Sequence, residues 1–197
     1  SRVSVFQITI FFLYIIAGVL FGLSRLNAGT NQEKMLVAVA VISGLTGLLW
    51  HTWTLLFTIF VPPGLNLTIG NTASFIGLQI ALIAIIGAVE PTLRGLCAGL
   101  LILAGLVAAA AGAQPPAEAG EAMSLQIQSH ILISLFAYGL LAVGAIVAFY
   151  ALAQDMRLRA GLLSSANQLF APLATTERLL FGITAAGFLF LLIAVSS

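Results

Sequence analysis

Six apolar runs constrain this chain more than any other feature. They cover residues 3–23, 35–60, 73–89, 93–112, 125–153 and 179–195. A bilayer core is crossed by about 20 predominantly apolar residues in helical form. In hydrocarbon every backbone polar group must be satisfied within the segment, and a helix does this. The sequence therefore predicts an all-α polytopic transmembrane helix bundle of about six spans, residues 1–197 forming one transmembrane domain. The fifth run is long enough to project past the membrane. Composition excludes the alternative of a buried soluble core. Only 7% of the residues are charged, against about 25% in soluble domains. The first run exceeds a signal-peptide core and no small-residue cleavage site follows it, so it reads as a span.

Charge in the loops sets an orientation. Arg25 and Lys34 lie between the first two runs, Arg94 follows the third, and Arg157, Arg159 and Arg178 surround the loop before the sixth. Loops 61–72 and 113–124 contain no Lys or Arg. Cytoplasmic loops carry the excess of Lys and Arg, so the N-terminus is expected outside, with Arg2 as the one dissenting charge. Pro62, Pro63 and Gly64 in one outer loop, and Pro115, Pro116, Glu118 and Glu121 in the other, read as short irregular connectors. The net charge of +1 leaves no clustered basic face for a nucleic acid. Cys97 is the single cysteine, which rules out an intrachain disulfide and reads as a small buried apolar residue.

The middle of each span lacks Asp, Glu, Lys and Arg, which weakens an ion pump or ion-coupled transporter. No internal repeat supports inverted-repeat transport. Two histidines remain. His51 lies in the outer part of the second run, roughly 13 Å inside its end by helical rise. Gly44, Gly47, Thr54 and Thr58 share its face, and small or polar faces of membrane helices point at other helices. Trp50 and Trp53 flank it as aromatic-belt residues or as ligand contacts. His130 lies roughly 8 Å inside the start of the fifth run, with Ser134 and Tyr138 following at +4 and +8. Each histidine reads either as a helix-packing polar group or as a metal ligand, since neutral imidazole is the commonest ligand and haem iron takes axial histidine. A Cys-x-x-Cys-His sequence is absent, so any haem here is non-covalent, b-type haem. With no nucleophile–base pair, phosphate loop or paired carboxylate, the chain is expected to be no autonomous enzyme, at most an accessory to haem attachment.

The stretch 130–138 (HILISLFAY), then 154–158 (QDMRL), then 171–181 (APLATTERLLF) and Gly187-Phe188 resembles the cytochrome c assembly family of membrane proteins, the CcsA, ResC, CcmC and HemX group. It is most similar to the small YpjD-like branch. His51 late in the second run, Asn66-Leu67 in the outer loop and a span beginning near Ser74 agree with that pattern. The resemblance covers about residue 35 to the end. It implies a haem-handling integral protein of a bacterial inner membrane, acting in cytochrome c biogenesis beside other maturation or membrane-complex subunits. It implies His51 as the intramembrane histidine and His130 as the outer-edge histidine, both candidate ligands of haem iron. It also implies that Glu177 and Arg178 form a structural pair, a helix-start carboxylate beside a cytoplasmic anchor. Two departures stand out. The larger branch carries a tryptophan-rich outer loop, and both outer loops here lack Trp. The family continues past a sixth span to further histidines, so further spans are expected to follow Ser197. The alternative implied by HemX-like members is a non-catalytic subunit or regulator that uses the scaffold without haem.

Overall fold

The computed structural model describes residues 2–112, 120–161 and 169–196. Six helices long and apolar enough to cross a membrane are present among them: α1 (Arg2–Leu26), α2 (Asn31–Ile59), α3 (Ile69–Gly87), α4 (Arg94–Gly112), α5 (Leu125–Arg159) and α6 (Leu173–Ser196). The chain is an all-α polytopic helix bundle, an integral membrane protein by length and composition of its helices. Their apolar outer surface fits lipid: Leu49, Phe57, Phe181 and Val195 all point outward.

Several helices run further than the apolar runs: α3 by one turn at the hairpin end, from Ile69, and the others through polar residues at the opposite end of the bundle. Helix α2 begins at Asn31, with the Glu33 carboxylate accepting from the Gly29 amide at 2.7 Å. Helix α5 extends to Arg159, where Arg159 pairs with Asp155 one turn back. Helix α6 begins at Leu173, so Glu177 lies in its second turn rather than at its start. These turns need no hydrocarbon, and polar side chains there meet water. The cationic loops all gather at this end.

Helices α1 to α4 share one core. Ile10, Tyr14, Ala17 and Phe21 are fully buried along α1, at the alternating four- and three-residue spacing of one helix face. Cys97, Leu101, Ala104 and Ala108 answer them from α4 with the same spacing. The two helices approach closely because Gly18 lacks a side chain: a Cβ there would stand 2.8 Å from the Ala98 carbonyl oxygen. Small residues at such crossings are how membrane helices gain van der Waals contact. At the cationic end, Arg94 bridges to Glu33 at 3.0 Å and also donates to the Ala88 carbonyl, tying the starts of α2 and α4.

Helices α5 and α6 pack on each other and lean against α3. A polar link between the two blocks is Gln79, whose side-chain amide donates to the Phe136 carbonyl at 2.9 Å. Gly139 makes this fit, since a Cβ there would overlap the Gln79 carboxamide. The segment entering α6 is pinned to α5: the Gln154 amide donates to the Ala171 carbonyl, and Phe170 stacks on Tyr150 with centroids 5.7 Å apart.

The connector between α2 and α3 is more regular than the sequence suggested. β1 (Phe60–Val61) and β2 (Gly64–Leu65) form an antiparallel hairpin around Pro62 and Pro63. Glu121 then bridges to Leu65, its amide donating to the Leu65 carbonyl at 3.1 Å. The close approach requires Gly64, where a Cβ would overlap the Glu121 carbonyl oxygen. Strands of two residues lie below what periodicity can reveal, and backbone pairing alone makes them. Pro115, Pro116 and Glu118 lie outside the described residues.

Candidate functional site

His51 sits at the junction of three helices. It is 1% exposed. Its Nδ1 is 3.0 Å from the Tyr14 hydroxyl of α1, and its Nε2 is 2.8 Å from the Ser74 hydroxyl of α3. A neutral imidazole has one donor and one acceptor nitrogen. Either Tyr14 donates to Nδ1 while Nε2–H donates to Ser74, or Ser74 donates to Nε2 while Nδ1–H donates to Tyr14. Both arrangements satisfy every ring nitrogen.

The local sequence explains the encounter. Cα–Cβ bonds tilt toward a helix's N-terminus. On antiparallel neighbours, Tyr14 therefore leans toward the hairpin end and His51 leans back from it, so the two meet. Gly47, one turn before His51, admits the tyrosine ring; a Cβ there would lie 3.0 Å from two of its carbons. Ser43 adds a bond from its hydroxyl to the Leu13 carbonyl at 2.8 Å.

A cavity of about 30 Å³ adjoins this node. Gln7, Thr54, Thr58 and Asn71 line it with His51 and Ser74. Asn71 donates to the carbonyls of Thr58 and Asn66, and the Gln7 Oε1 is buried without a hydrogen-bond partner. A space above roughly 10–15 Å³ with several polar groups holds a water molecule. A plate-sized cofactor does not fit there.

The larger cavity lies at the hairpin end, in the seam between the α1–α4 block and the α5–α6 pair. Its volume is about 430 Å³. Leu55, Phe75, Leu78, Leu132, Phe136 and Phe190 form most of its wall, joined by Thr52, whose hydroxyl donates back to the Leu48 carbonyl at 2.8 Å. Leu56 and Phe60 belong to the same wall and are also exposed on the outside of the bundle, so it opens laterally. Small-molecule pockets run to roughly 300–1,000 Å³ and are mainly apolar.

The structure does not place the two histidines in one wall. His51 is inside the bundle, and neither histidine lines the larger cavity. His130 is exposed near the start of α5. Ile133, one turn further on, is a cavity residue, so His130 stands beside the rim on the hairpin side. Tyr138 is 60% exposed, and the polar sequence stripe on α5 turns outward instead of toward a partner helix. Trp50 and Trp53 are exposed as well, as belt residues are; Trp50 meets Phe6 with centroids 5.6 Å apart.

The fit to haem divides between the two histidines. The apolar cavity offers the kind of wall a porphyrin face needs, while His130 is exposed and not among its lining residues. His51 does not suit iron in this arrangement, because ligation through Nε2 requires the Ser74 bond to open. The sequence pointed to His51 but not to its partners. Tyr14 offered the one available signal: a phenol in mid-span must find a partner in hydrocarbon. The sequence matches no protein-family model, no curated protein and no solved structure.

Proposed function

We propose that this chain is a haem-handling membrane protein of the cytochrome c assembly type, which holds haem at the outer face of the membrane. The observation that supports the reading is the apolar cavity in the seam, lined from α2, α3, α5 and α6. The residues quoted above for the family resemblance support it independently. When bound, haem supplies an iron centre that takes an axial imidazole. Leu55, Leu78 and Leu132 would cover the porphyrin and exclude water, and Phe75, Phe136 and Phe190 would add aromatic contact. His130 of α5 would be the candidate iron ligand. His51 fixes the α1–α2–α3 junction that forms the back of the site.

The test is an absorption spectrum of the protein purified in mild detergent. A Soret band and a positive pyridine haemochrome assay are expected. His130→Ala should shift or remove the band, and Leu132→Trp should lower haem content by filling the cavity. A colourless protein that stays unchanged on adding haem refutes the reading.

The satisfied nitrogens of His51 favour one second reading, a non-catalytic subunit or regulator on the same scaffold without haem. Co-purification of one stoichiometric partner, with activity indifferent to substitution of either histidine, supports that alternative.

A further inference from the structure

The seam cavity is walled almost wholly by hydrocarbon. Among its described lining residues only Thr52 carries a polar side chain, and that hydroxyl is already bonded to the Leu48 carbonyl. The lining side chains therefore offer a guest no free hydrogen-bonding group. A buried water needs several polar partners, so this space does not suit water. Left empty, it would deprive Phe75, Leu78 and Leu132, all only partly buried, of contact atoms on one side.

The cavity runs along the helices. On α2 its lining extends from Thr52 to Phe60, roughly 12 Å by helical rise. On α5 it extends from Leu132 to Phe136. Its length thus lies along the spans, the direction in which lipid chains lie in a bilayer.

The mouth continues the lipid-facing surface of the bundle. Leu56 and Phe60 line the cavity and are also exposed on the outside. Leu49 and Trp53 are exposed too and lie on the same face of α2 by helical spacing. Trp53 packs on Phe57 with centroids 4.9 Å apart, and tryptophan near the end of a span belongs at the headgroup level. The mouth therefore opens into the leaflet on the hairpin side, close to the headgroups, where acyl chains are the surrounding medium.

We propose that the seam cavity is a lipid site, which takes an acyl chain of a phospholipid from the hairpin-side leaflet. The chain enters past Leu56 and Phe60 while its headgroup stays outside. It goes beyond the haem reading: the chain fills the seam when no other guest is bound, and any cargo of this cavity must displace it.

The test uses haem-free wild-type protein in phosphatidylcholine vesicles. A fraction of the lipid carries a photoactivatable diazirine midway along one chain, and adducts are mapped by peptide mass spectrometry after illumination. Adducts are expected on the inner wall, at Phe75 and Leu78, besides those on outward-facing Leu49 and Phe57. Leu132→Trp, which fills the cavity, should lose the inner adducts and keep the outer ones. A second readout places one tryptophan in the wall, by Phe75→Trp combined with Trp50→Phe and Trp53→Phe. Phosphatidylcholine brominated at mid-chain should quench it as strongly as it quenches Trp53 in a Trp50→Phe protein. Wild-type labelling confined to outward-facing residues overturns the proposal, a result that depends on no variant folding. Emission of the Phe75→Trp protein indifferent to the brominated lipid overturns it too. Because haem is absent throughout, failure here leaves the haem reading standing, and a protein that never binds haem leaves this proposal standing.

Discussion

Replacing His51 with Phe separates its hydrogen bonds from its bulk. The ring stays, both nitrogens go, and Tyr14 and Ser74 lose their shared partner. The two losses are unequal. Ser74 sits in α3 and can turn its hydroxyl to the Gly70 carbonyl one turn back, a common refuge in helices. Tyr14 is 0% exposed, and a phenol oxygen cannot reach its own helix backbone. Leaving a buried donor unsatisfied costs about 1–3 kcal/mol. Side-chain bonds between membrane helices average about 0.6 kcal/mol, with about 1.7 at the top of the measured range. His51→Phe should therefore destabilise the bundle by about 1–3 kcal/mol. Tyr14→Phe should cost less, and the double variant should recover part of the loss, with a coupling of about 0.6–1.7 kcal/mol. Reversible unfolding in mixed SDS and mild-detergent micelles measures this. Trp50 and Trp53, the only two tryptophans, flank residue 51 and report it by fluorescence. Additivity of the two single variants within about 0.3–0.5 kcal/mol would refute the reasoning. So would a His51→Phe protein as stable as wild type. The same variant should keep its Soret band, because His51 acts here on helix packing.

Two further substitutions probe the seam and the hairpin. Gly139→Ala drives a methyl into the Gln79 carboxamide, and overpacking of this kind costs about 1–3 kcal/mol; the same unfolding titration should show it, together with faster exchange of amides on the α5 face of the seam. Gly64→Ala places a methyl against the Glu121 carbonyl, so the Glu121 amide should lose protection in hydrogen exchange while the six helices keep their far-ultraviolet dichroism.

How much of this was legible beforehand follows from what each signal reports. Hydropathy measures compatibility with hydrocarbon, and all six helices appear in it because a continuous run of about 20 apolar residues crosses a bilayer as a helix. It stops where hydrocarbon stops, so it missed Asn31 to Lys34, the last turns of α5 and the first turns of α6, which are helical in water. The packed face of α2 was readable from Gly44, Gly47 and His51, because small residues at helical spacing imply a neighbour. The identity of the neighbour was not readable. Tyr14 and Ser74 meet His51 through the register of three helices, and periodicity within one helix carries no information on register. His130 shows the opposite failure. Its spacing to Ser134 and Tyr138 formed a stripe, yet a stripe has two possible directions, and exposed Tyr138 shows which one α5 adopts. The β1–β2 hairpin escaped detection because its four residues contain too few side chains to alternate.

The Gln79 clasp has a mechanical consequence. The α5–α6 pair meets the α1–α4 block along α3, where the Gln79 side-chain amide supplies a polar link. A bond of about 0.6 kcal/mol is comparable to thermal energy at room temperature. The carboxamide oxygen of the same residue has no partner to lose. The hydrogen-bond cost of opening this one contact is therefore close to what thermal agitation provides. Apolar contact carries the rest of that seam: Val143 and Val147 of α5 and Ile183 of α6 belong to one core with Ile80 and Ala84 of α3.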